Sequence, residues 1–144
     1  MFTGGVTLSG LVQSATTGTY TGTTLDIASG QFSVNTGTDL ILTAPTTSTC
    51  SVCAYNGLII MQPSTNTNAV QVQQGDSYGS LTGIIYAPNA QLYMNDSGGD
   101  KNGGIALTTD LIVGTLFDKT ATLSLQSYSL THPTSPLVKV ALVE

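Results

Sequence analysis

The chain has 144 residues, the size of one domain able to bury a core without several disulfides or a metal. Only 8% of the residues are charged, the net charge is -5, and there are three lysines and no arginine. The chain therefore lacks the means to neutralise a phosphate backbone, and nucleic acid and anionic lipid are not expected partners. No stretch approaches the ~18 consecutive apolar residues of a membrane helix, and Met1–Gly5 has neither the basic nor the apolar region of a signal peptide. We expect a single β-rich domain over 1–144, without direct membrane contact, that is a mature fragment or the C-terminal part of a longer precursor.

The residue usage is that of strands and turns. There are 24 Thr and 16 Gly, and β-branched Thr fits a pleated surface better than a helix. Short apolar or alternating runs, each bounded by Gly, Pro, Asn, Asp or Ser, predict strands in chain order at Val6–Val12, Thr23–Ile27, Gln31–Val34, Asp39–Thr43 and Leu58–Gln62. They continue at Ala69–Gln73, Leu81–Ala87, Ala90–Met94, Ile105–Val113, Thr120–Ser127 and Leu137–Val143. No segment keeps apolar residues at helical spacing over a helix length. Ala44–Ser51, Pro63–Asn68, Asn95–Gly104 and Thr131–Pro136 read as loops within the domain.

Continuous apolar runs at Leu40–Leu42, Leu58–Met61 and Gly83–Tyr86 suit a parallel sheet buried on both faces. Ala69–Gln73 and Thr122–Leu125 alternate, as strands with one wet face do. The mixture predicts an all-β fold, a right-handed parallel β-helix of short strands with one face covered by another element. An antiparallel β-sandwich is the alternative. The separations from Tyr86 to Leu107 and from Leu92 to Val113 suggest a coil of 21 residues. Solenoid ends expose unpaired strand edges, so Met1–Gly22 and the last strand are expected to cap the domain or to dock onto a neighbouring chain.

Each constellation that could carry chemistry falls short of its requirement. Cys50-Ser51-Val52-Cys53 has redox-motif spacing, but no helix follows to lower a thiol pKa, and two Cys with one His leave a zinc site short of ligands. A local disulfide between Cys50 and Cys53 is the expectation. Asn95–Gly104 offers oxygen ligands but neither an EF-hand order nor a calcium-roll repeat, and reads as a Gly-rich turn. Asp76, Asp96, Asp100, Asp110 and Asp118 show no distinguished pair for glycoside hydrolysis. His132 sits in a Thr/Pro-rich loop with no nucleophile-elbow sequence elsewhere. Tyr78, Tyr86, Tyr93 and Tyr128 could form a sugar platform, although Tyr86 and Tyr93 fall within strands and are expected to pack.

Leu81-Thr82-Gly83-Ile84-Ile85-Tyr86-Ala87-Pro88-Asn89-Ala90-Gln91-Leu92 resembles a signature of the C-terminal regions of TadG-like proteins, the Tad/Flp pilus-assembly proteins of bacteria. Gly57–Gln62, Asn66 with Asn68, and Val140–Glu144 are similar to the same pattern and occur in its order. The likeness rests on Gly83, Tyr86, Pro88 and Asn89 and spans roughly residues 50–144. Those positions also have a local reading, in which a buried strand ends at Ala87, Pro88 withholds a ladder donor and Asn89 turns the chain. The resemblance implies an envelope-anchored protein with a β-helix-like C-terminal part acting in pilus biogenesis or adherence. This chain lacks the membrane helix and the Asp-x-Ser-x-Ser metal-adhesion motif of such proteins.

The expected function is thus a non-catalytic, extracytoplasmic structural or interaction module with protein partners in the cell envelope or pilus, or with further copies of itself. No cofactor or metal is expected. A carbohydrate-binding β-helix is the alternative, followed by a polysaccharide-degrading enzyme.

Overall fold

The computed structural model describes residues 1–18, 21–74, 79–96, 105–119 and 123–126. Its ten strands are β1 (Val6–Leu8), β2 (Leu11–Gln13), β3 (Leu25–Asp26), β4 (Phe32–Val34), β5 (Asp39–Thr43), β6 (Leu58–Met61), β7 (Val70–Gln74), β8 (Gly79–Asp96), β9 (Ile105–Asp118) and β10 (Leu123–Gln126). Every pairing among them is parallel, and together they make a β-solenoid of about four turns. The parallel β-helix expectation holds and the sandwich falls away.

The pairings resolve into three ladders that each turn visits in the same order. Ladder I stacks β3, β6 and the middles of β8 and β9, with Phe2 bridging to Ile27 at its start. Ladder II stacks β1, β4, β7 and the ends of β8 and β9. Ladder III stacks β2, β5, the beginnings of β8 and β9, and β10. Because strand side chains alternate, each ladder turns one set of residues inward. Phe32, Val70 and Leu92 form one inward column, Val34, Val72 and Met94 a second, and Leu42, Leu81 and Leu107 a third, all buried. Removing each such side chain from water contributes about 1.5–3 kcal/mol, and the columns run the length of the axis as one core.

Several boundaries differ from expectation. Val6–Val12 is two strands, β1 and β2, with a corner at Ser9-Gly10 that passes the chain from ladder II to ladder III. Leu81–Ala87 and Ala90–Met94 are one long strand, β8, so the chain does not end a strand at Ala87. The pairing nonetheless lapses between Ala87 and Gln91, and there β8 changes partner from β6 to β7. Pro88 thus sits where no ladder donor is required.

The coil is not 21 residues long. Tyr86 lies against Ile112 and Leu81 against Leu107, a spacing of 26, while Leu92 meets Leu116 after 24. Val34 meets Val72 only after 38 residues, because the Ala44–Gly57 segment is inserted in that turn. Corner segments absorb the differences while the strand registers are kept.

That insertion supplies the covering element expected from the two-faced apolar runs. A bulge between Leu58 and Ile60 leaves Ile59 extra on β6, and both Ile59 and Ile60 are fully buried. Ile84 and Ile85, adjacent on β8, are buried as well, although only Ile85 belongs to the interior cluster. Gly57 N donates to Pro45 O at 2.7 Å, closing the Ala44–Gly57 segment on itself, and Ile84 N donates to Gly57 O at 2.8 Å, tying the segment to this face. Leu40–Leu42 behaves otherwise: Leu40 and Leu42 are buried, while Ile41 is exposed on the outside of ladder III.

At the N-terminal end β1 and β2 belong to the first coil, whose outer edge carries the exposed Met1 and Leu11. Leu137–Val143 lies outside the described residues. Among the described residues no helix is long and apolar enough to cross a membrane.

Candidate functional site

A concavity among the described residues lies on the outside of ladder III at its first two coils. It has a volume of about 300 Å³, at the small end of the range for ligand sites. Its floor is made by Gln13 of β2 and by Ile41 and Thr43 of β5, whose side chains point outward because Leu40 and Leu42 point in. One wall is made by Ser14, Ala15, Thr16, Thr21 and Gly22; the other by Ala44, Thr46 and Thr49.

Local chemistry holds both walls. The Ser14 Oγ donates to Thr43 O at 3.2 Å and accepts from Thr43 N at 3.0 Å, fastening the first wall to the end of β5. Thr23 N also donates to Thr43 O, at 2.8 Å. Gly22 has φ +92 and lies against the Pro45 backbone so closely that a Cβ there would stand 2.5 Å from Pro45 N. Only glycine allows that approach. In the second wall Thr46 N donates to Thr49 Oγ1 at 2.8 Å, and Cys50 N donates to Thr46 O at 2.7 Å.

Cys50 and Cys53 form the expected disulfide directly after this wall. Cys50 is buried and Val52, inside the ring, is exposed. A ring this small removes little chain entropy, so the bond shapes the turn more than it stabilises the domain.

The four residues that carry the family likeness are placed by the fold rather than gathered into a pocket. Gly83 lies at the passage from ladder III to ladder I, pressed beneath Ala44 and Ile59. Tyr86 is half-buried on the outer side of ladder I, between Met61 and Ile112 on the neighbouring coils. Pro88 and Asn89 make the corner from ladder I to ladder II, where Asn89 Nδ2 donates to Ser64 O at 2.8 Å. Tyr93, on the outer side of ladder II, stacks on Phe117 of the next coil with ring centroids 5.5 Å apart and planes inclined by 6°. It packs, as expected, and against an aromatic partner that the sequence reading did not single out.

A buried polar cluster lies at the same corner as Asn89, one coil earlier, around Asn66 and Asn68, and the burial of Gln62 within it was missed. Gln62 is fully buried, and its Nε2 donates to Asn66 O at 2.9 Å and Asn68 O at 2.7 Å. The Asn66 side chain donates to Ile27 O at 3.2 Å and Gly30 O at 2.9 Å, and accepts from Asn68 N and Nδ2. These bonds satisfy corner carbonyls that no ladder reaches.

Among the described residues no three His, Cys, Asp or Glu side chains are gathered together. Asp110 is nearly buried on ladder I, and Asp118 ends β9 on ladder II. Asp76, Asp100, His132, Tyr78, Tyr128 and the Ser97–Gly104 part of the Gly-rich turn lie outside the described residues, as does the Asp96 side chain. Comparison with protein-family models, with curated proteins and with solved structures yields no match.

Proposed function

We propose that this chain is a non-catalytic, extracytoplasmic structural and interaction module of a pilus-assembly or adherence-related envelope protein. The observation that carries the reading is the outer surface of the solenoid. Thr7, Ser33 and Gln71 succeed one another along the outside of ladder II, and Thr43, Thr82 and Thr108 along the outside of ladder III. A long, neutral, hydroxyl- and amide-bearing surface on a rigid stack is suited to lateral contacts with other proteins, which its few charges neither steer nor repel. The Cys50–Cys53 disulfide supports an oxidising compartment. The likeness of Leu81–Leu92 to the TadG-like signature supports the pilus setting. It rests on those residues alone.

Expression of the parent gene with this segment deleted tests the reading. Surface adherence should fall at least tenfold while growth and the level of the remaining protein hold. Unchanged adherence would overturn it.

A further inference from the structure

We infer that the groove on ladder III is a binding site for a neutral sugar. Three properties of its lining lead there. First, the lining contains no ionisable side chain, so nothing in it would select a phosphate, a uronate or an ammonium group.

Second, the lining is amphipathic. Ile41 is exposed on the floor and Ala15 is exposed on the wall beside it, while the hydroxyls of Thr16, Thr21 and Thr43 and the amide of Gln13 make no hydrogen bond among the described residues. A purely apolar ligand would strip water from those four groups without replacing its bonds, which is costly. A pyranose ring presents C–H patches to the floor and hydroxyls to the rim.

Third, the walls are held before any ligand arrives, by the Gly22 approach to Pro45 and the Thr46–Thr49 bonds. A prebuilt site spares a weakly binding ligand the cost of ordering it. An extended peptide fits less well, since β2 and β5 already pair with each other beneath the groove and offer it side chains instead of ladder groups. The volume of about 300 Å³ leaves room for one or two sugar rings.

The test is titration of isotope-labelled protein with cellotriose, maltotriose and mannotriose, and separately with trigalacturonate, followed by NMR chemical shifts. At least one neutral trisaccharide should give saturable shifts clustered on Gln13, Ile41, Thr43 and Thr46, with an affinity unchanged by salt. Thr43→Val keeps the β-branched shape and removes the hydroxyl, and should weaken that binding about five- to tenfold. Thr16→Ala, in an exposed segment, gives the same reading if the strand variant folds poorly. Gln71→Ala on ladder II should leave the affinity as it was. Silence with all three neutral sugars, tighter binding of trigalacturonate, or shifts of the same residues by a Thr-rich peptide alone would each overturn the proposal. None of these outcomes depends on pilus function, so this inference and the adherence reading fail separately.

Discussion

Gly83→Ala should lower the unfolding free energy of this protein by about 3–5 kcal/mol, the sum of a backbone term and an overpacking term. Gly83 has φ +139, a conformation that costs any other residue strain. An added Cβ would stand 2.5 Å from both the Ala44 Cβ and the Ile59 Cγ1, and 3.0 Å from Gly57 O. None of these neighbours is the free end of a flexible side chain. The covering segment would have to lift from ladder I, exposing Ile59 and disturbing the bond from Ile84 N to Gly57 O. Urea unfolding measures the loss directly. Thr82→Ala, one residue earlier on the outside of ladder III, should cost less than about 1 kcal/mol. Equal effects at the two positions would mean that the segment does not lie where the fold places it.

Asn66→Ala should cost about 2–4 kcal/mol, because it strands several buried partners at once. Asn66 is 5% exposed. Its amide supplies the only side-chain donors found for Ile27 O and Gly30 O among the described residues, and its Oδ1 accepts both the backbone and side-chain amides of Asn68. The same corner also supplies Asn66 O and Asn68 O to Gln62. Loss of this side chain should therefore loosen the contact between the second and third coils as well as the corner. Hydrogen exchange would register that spread as faster exchange at Ile27 N, which donates to Met61 O. A loss below about 1 kcal/mol with unchanged exchange would show that water replaces the amide without penalty.

The strands were more legible than the way they are joined. Asp39–Thr43 has the bounds expected of it, since Thr36-Gly37 turns the chain before it and Ala44-Pro45 after it. The adjacent apolar pairs Ile59-Ile60 and Ile84-Ile85 announced burial on two faces. Nothing in their spacing identified Ala44–Gly57 as the cover, which depends on a non-local contact at Gly83. The coil length was misread because apolar residues recur on every strand, so separations such as Tyr86 to Leu107 match residues of different ladders. Pro88 was given the right local property and the wrong consequence, as a corner in a solenoid can interrupt pairing without ending the extended chain.

The candidate site was hardly legible at all. In a chain with 24 threonines, Thr16, Thr21 and Thr43 look like any other strand or turn hydroxyls. Their convergence follows from the stacking of β2 on β5 and from Gly22 meeting Pro45. Gln62 likewise read as a polar strand end. Its burial becomes intelligible once the carbonyls of Asn66 and Asn68 are found beside it. The disulfide was readable because the chain has only two cysteines, which with one His are too few for a zinc site.

Everything proposed for the surface and the groove depends on the axial stacking of the three ladders. Spin labels at Thr7 and Phe117, which share the outer column of ladder II through Ser33, Gln71 and Tyr93, measure that stacking by pulsed electron resonance. Four steps of about 4.8 Å place the two backbone positions about 19 Å apart. Stacked ladders give one narrow distance consistent with that value, and a shortening of about 5 Å when the first label is moved from Thr7 to Ser33. A broad distribution, or a distance unchanged by that move, would contradict the solenoid and the site built on it.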